Sequence, residues 1–183
     1  LSDGALVVGF GTGGVVTNDP STGSGTSTDD GPSSIAIDST YMYVAGWDSS
    51  PAIGKQWRIE KRNLSDGALA AGFGTAGVVT TNPGAGADDE PYDIAIDSTY
   101  MYVVGYDTIL GVNNQQWRIE KRNLSDGALA ASFGTAGVVN SNPSTGQDGG
   151  LNIAIDSTYM YVVGYDTILG VNNQQWRIEK MIK

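Results

Sequence analysis

Carboxylates are the side chains of this sequence with the most chemical reach. They gather in one loop of each of three similar stretches: Asp29 and Asp30; Asp88, Asp89, Glu90 and Asp93; Asp148. Oxygen-rich loops with glycine nearby suit calcium, and Asp29, Asp30, Asp88, Asp89 and Glu90 are the expected ligands of such a site. Their spacing fits no EF-hand, and the third stretch keeps few of the acids. Solvated loops with Asx turns are the simpler expectation, with no cofactor. Asp38, Asp97 and Asp156 form a second row, each followed by Ser-Thr. They suit either an axial cation or sugar site or, more simply, carboxylates that accept from the next backbone amides.

Other chemistry is excluded outright. The chain has no cysteine and no histidine. That removes disulfides, thiolate catalysis, a Ser-His-Asp set and the commonest transition-metal ligand. A carboxylate pair could hydrolyse glycosides. Near-identical copies, however, offer no single asymmetric site, so the expectation is no enzyme. With 20 acids against 10 bases the net charge is -10, and a nucleic-acid partner is not expected. No apolar run reaches the ~20 residues of a membrane span, so no membrane insertion is expected.

Some residues point to partners instead. The loop "TILGVNNQQ" occurs twice and carries Ile109, Leu110 and Val112, then Ile168, Leu169 and Val171. Apolar loop residues either dock a surface protein, a glycan or a neighbouring chain, or fold back over their own sheet. Asn63 and Asn123 each start an Asn-Leu-Ser pattern, a glycosylation acceptor placed in a turn. Arg58/Glu60, Arg118/Glu120 and Arg177/Glu179 read as cross-strand or surface ion pairs. The Trp and Tyr rows read as core between sheets rather than as a sugar platform.

The elements that must position these residues come in three copies. "LSDGAL" opens at Leu1, Leu64 and Leu124; "IAIDSTYMYV" at Ile35, Ile94 and Ile153; "WRIEK" at Trp57, Trp117 and Trp176. The units run 1–63, 64–123 and 124–183, a period close to sixty residues. Within a unit the apolar period is two. Ile94 and Ile96 share one face with Ala95 behind; Tyr100, Tyr102, Val104 and Tyr106 share another with Met101 and Val103 behind. Apolar residues on both faces predict a strand covered on both sides. "WRIEK" predicts a half-buried strand, "SDG" a tight turn, and "ALAAGFG…GVV" the outermost strand. Four antiparallel strands per unit predict an all-β fold of β-propeller blades, with a β-solenoid as the competitor.

The stretches "DGALAAGFGTAGVVTT", "DIAID…YMYVVGYD" and "WRIEKRNLSDG" resemble the bacterial delta-60 repeat. The most specific match is Phe10-Gly11-Thr12-Gly13-Gly14-Val15-Val16-Thr17, echoed at Phe73 and Phe133. The resemblance spans all three copies. It implies a secreted or surface propeller without enzyme activity. Where that family has an Asp-Gly-Lys turn, this chain has Ser98-Thr99-Tyr100.

The sequence opens with the outer strand of a unit and closes on a third strand. The absent Met reads as processing, trimming or a partly observed sequence, and "MIK", in place of "RNLSDG", reads as a true end. The last "WRIEK" should present unpaired N–H and C=O groups, a template for another strand. Its expected partner is the leading segment. The assembly residues are Ala5, Leu6, Val7, Val8, Phe10, Val15 and Val16 on one side and Trp176, Ile178 and Lys180 on the other. Three blades fall short of the ~4 to 8 of known propellers. A ring of two chains, a head-to-tail filament or a longer parent protein would each answer this. The leading expectation is an extracellular or cell-surface structural module joined to copies of itself by strand exchange. The alternative is a secreted adhesion domain that recognises protein or carbohydrate through its loops.

Overall fold

Period-two patterning and frequent Gly and Pro leave no room for helices, and the computed structural model contains none among the residues it describes, 4–21, 29–50, 54–84 and 86–183. The opening residues of the first "LSDGAL" and parts of two loops of the first unit lie outside that set. Among the described residues eleven strands form three antiparallel sheets. The first sheet holds β1 (Gly31–Ile37), β2 (Tyr41–Ser50), β3 (Gly54–Asn63) and β4 (Val78–Thr81), in that order. The second holds β5 (Glu90–Ile96), β6 (Tyr100–Asp107), β7 (Gln116–Asn123) and β8 (Val138–Ser141), also in order. The third holds β9 (Gly149–Ile155), β10 (Tyr159–Asp166) and β11 (Gln175–Ile182) and stops at three strands.

Each sheet repeats one register. Tyr41 faces Asn63 as Tyr100 faces Asn123, and Trp57 faces Thr81 as Trp117 faces Ser141. The first strand of each sheet carries a bulge, at Pro32/Ser34 and Pro91/Asp93 in the first two and opposite Val163/Gly164 in the third. Proline is tolerated there because a bulge interrupts the ladder. The facing residue must be glycine: a Cβ on Gly105 would lie 2.0 Å from the Glu90 carbonyl oxygen.

The expected outer strand is shorter than the run "ALAAGFG…GVV". Only Val78–Thr81 and Val138–Ser141 are strands; Leu69 and Leu129 make single bridges back to Arg62 and Arg122. Between them a tight turn at Phe73-Gly74 and Phe133-Gly134 reverses the chain. Ala76 and Ala136 sit there at φ 53°, in the left-handed region where the first unit has Gly13.

The sheets stack in series. One face of the first sheet (Tyr43, Ala45, Trp57, Ile59, with Phe73) packs on Ile94, Met101 and Val103 of the second sheet and on Leu124, just past its β7. The opposite face of the second sheet (Tyr102, Val104, Trp117, Ile119, with Phe133) packs on Ile153, Met160 and Val162 of the third. The middle sheet is therefore covered on both sides, as its doubly apolar β6 predicted.

Candidate functional site

The two outermost faces of this stack carry the same residue types as the buried ones. On the third sheet Trp176 faces Tyr165, Ile178 faces Val163 and Lys180 faces Tyr161. Trp57 and Trp117, at the equivalent places, are 1% and 0% exposed, whereas Trp176 is 94% exposed. Ile178 is 69% exposed, whereas Ile59 and Ile119 are buried. Among the described residues no strand pairs with the outer edge of β11.

The leading segment does not fill that edge within the chain. It lies against the first sheet. Gly11 N donates to the Asp66 carbonyl at 2.9 Å, as Gly74 N does to Asp126 at 2.8 Å. Phe10 rests on Gly67, where a Cβ would lie 3.0 Å from its ring, as Phe73 rests on Gly127. Asn18 donates to Glu60 Oε1 at 2.7 Å, matching the contacts of Thr81 with Arg122 and of Ser141 with Glu179. Residues 10–18 thus occupy, beside the first sheet, the place that the outer strand of one sheet takes beside the next. Leu6, Val7, Val8 and Val15 are exposed, Ala5 likewise, and Phe10 and Val16 are half-buried.

Between this segment and the first sheet lies a cleft of about 470 Å³. Phe10 and Val16 line one side; Met42, Val44, Gly46 and Trp47 line its floor. Arg58, Glu60 and Arg62 complete it.

Those charges belong to a ladder whose Arg–Glu pairs the sequence leaves as either cross-strand or surface ion pairs. Glu120 is fully buried, with Arg118 and Arg122 nearly so. Glu120 receives Arg118 and Arg122 at 2.7 Å each, and Arg118 also reaches Asp107 at 3.3 Å. Alternation along β7 does show a polar face. It does not show that the preceding sheet covers that face, with the Arg118 guanidinium 5.9 Å from the Trp57 ring. Among the described residues no sheet covers the Arg58 ladder, which lines the cleft.

The carboxylates of the expected calcium loops are separated by their bonding. Asp30 holds Ser21 and the Ser49 amide; Asp88 accepts from the Lys55 amide; Glu90 pairs with the Lys55 ammonium. Asp29 offers its carbonyl to Ser49. Asp89 is fully buried and accepts from Gly84 N and from both the amide and hydroxyl of Thr108. Burial pushes its pKa up against those donors. Among the described residues no three such groups gather. Asp38, Asp97 and Asp156 each cap a turn: Asp97 Oδ1 accepts from Thr99 N and Tyr100 N, and Oδ2 from the Tyr102 hydroxyl.

Ile109, Leu110 and Val112, with Ile168, Leu169 and Val171, are all exposed rather than folded back on their sheets. Asn63 and Asn123 end β3 and β7 and are half-buried. Compared with known protein families, curated proteins and solved structures, the chain matches none.

Proposed function

We propose that this chain is a non-enzymatic structural module that joins copies of itself, the leading segment of one copy adding a fourth strand to the third sheet of another. The observation that carries the reading is the pairing of complementary remnants among the described residues: a sheet edge without a strand and a strand-length segment without a sheet. Internal register fixes how they meet. Because Arg58 faces Thr80 and Ile59 faces Val79, Arg177 should face Thr17 and Ile178 should face Val16 in the neighbouring copy. Strand addition at an exposed edge supplies main-chain hydrogen bonds over its whole length. Propeller closure into a ring and open filament growth both satisfy this contact. The resemblance to delta-60 repeats favours a secreted or surface setting.

The chain has no native cysteine, so an introduced pair reports the register. The double variant T17C/R177C should form intermolecular disulfides under mild oxidation, seen as a ladder on a non-reducing gel. V16C/R177C places the thiols on opposite sheet faces and should not. Equal cross-linking of both, or a wild-type chain that stays monomeric at high concentration in light scattering, overturns the proposal.

A second reading rests on the exposed Ile109 and Ile168 loops, which repeat on two adjacent sheets. These would serve an adhesion domain that contacts a surface protein or glycan. Replacing Leu110 and Leu169 by Ser should abolish such binding without changing self-association. Unaltered retention on immobilised glycans and cell-surface protein would remove this reading.

A further inference from the structure

Strand addition alone does not say which sheet faces meet. Resting on the self-assembly reading, we propose that the bare face of the third sheet seats in the cleft on the first sheet of a second copy, with Trp176 as its anchor.

The internal junctions provide the template. At the first, Trp57 Nε1 donates to the Tyr106 carbonyl at 3.1 Å, and Lys61 Nζ donates to the Leu124 carbonyl at 2.8 Å. At the second, Trp117 Nε1 donates to the Tyr165 carbonyl at 2.9 Å. The Trp117 ring lies so close to Gly164 that a Cβ there would be 2.9 Å from it. Both junctions thus share an indole bonded to the carbonyl that follows a strand glycine; the first adds a lysine that reaches the Leu124 carbonyl, and the second lays the indole over Gly164.

The third sheet holds the giving half of this set. Trp176 stands free, and Lys180 sits 3.9 Å over Tyr159, as Lys61 sits 4.1 Å over Tyr41. The first sheet holds the receiving half. Gly46 and Trp47 stand where the second sheet has Gly105 and Tyr106, the residue whose carbonyl receives Trp57, and Leu64 stands where Leu124 receives Lys61. Met42 and Val44 repeat Met101 and Val103 on the cleft floor. Phe10, already docked on Gly67, supplies the aromatic ring that Phe73 and Phe133 give the internal junctions. In the assembly Trp176 Nε1 donates to the Trp47 carbonyl of the second copy, and Arg58 of that copy lies over the indole.

The two faces differ, so the contact is heterologous: every joined pair keeps one giving face and one receiving face free. This predicts the behaviour of two blocked variants. V44D places a carboxylate on the receiving floor; W176A removes the anchor. Each alone should assemble only at a concentration at least tenfold above wild type, and in the working range both should run as monomers in sedimentation. Mixed in equal amounts they should form a discrete dimer, V44D giving its third sheet to the W176A cleft, and nothing larger. Circular dichroism of each variant checks folding, and M42D replaces V44D if the latter fails to fold.

V44D that assembles like wild type overturns the inference, as does a mixture that stays monomeric. So does a V44D that dimerises by itself, since that would mean third sheets meet one another. These results leave the T17C/R177C cross-link untouched, so loss of the face assignment is distinguishable from loss of strand exchange.

Discussion

The Ser34 hydroxyl donates to Asp93 Oδ1 at 2.6 Å. The other oxygen of Asp93 accepts from the Ile153 amide at 2.9 Å. One carboxylate on β5 thus ties β1 to β9, the first strands of the flanking sheets, and it has no counterpart acid at Ser34 or Asn152. Replacing it strands a hydroxyl and an amide. D93A should lower stability by about 1–3 kcal/mol, the usual penalty for leaving buried or half-buried donors without a partner. S34A, which removes only one bond and its donor, should cost less. Urea denaturation of the two variants checks the order.

Asp97 makes stability depend on acid. Burial pushes its pKa up, but the Thr99 and Tyr100 amides, the Lys183 ammonium and the Tyr102 hydroxyl together outweigh that and bring it to about 2. An unfolded aspartate titrates near 3.9. The folded state therefore favours the carboxylate. The stabilisation is fully present above about pH 4 and is lost as pH falls toward 2. D97N should melt below wild type at pH 7, and the gap should close near pH 2. Melting curves across that range test it; a constant gap would refute it.

Trp117 and Trp176 separate folding from association. W117A should destabilise the chain by about 3–5 kcal/mol, the usual cost of emptying a buried aromatic site. W176A should leave the melting temperature of the isolated chain nearly unchanged, because its ring contacts water. Thermal denaturation at low concentration compares them.

Ala76 and Ala136 hold a conformation that costs an L-residue roughly 1–2 kcal/mol. Glycine relieves that strain but loses more entropy on folding, about 0.4–1 kcal/mol. A136G should therefore raise stability slightly, by up to about 1 kcal/mol. In contrast G105A, whose methyl would strike the Glu90 carbonyl, should prevent the second sheet from forming. Denaturant midpoints for A136G and solubility of G105A check both.

Strand positions and the faces of β6 were legible because alternation translates directly into sheet geometry. The turn-capping role of Asp38, Asp97 and Asp156 was legible as well, since it involves only the next three residues. What escaped depended on contacts between units. The Arg118–Glu120–Arg122 ladder looks like a solvent face until Trp57 of the preceding sheet covers it. The docking of Phe10 and Gly11 on the turn at Asp66 and Gly67, as Phe73 and Gly74 dock on Asp126 and Gly127, was not legible either, because it joins one unit to the turn of the next. The acidic loops looked like one chemical feature; in space Asp30, Asp88, Asp89, Glu90 and Asp93 each serve a different backbone or side-chain partner.

The repetition of one junction has a genetic corollary. Deleting or duplicating residues 64–123 brings together surfaces already shaped for each other, so a chain with one unit fewer or one more would still present matched neighbours. Ile94–Lys121 and Ile153–Lys180 are identical in sequence, which gives unequal recombination long tracts to work on. Copy number can thus drift between lineages without redesign of any contact.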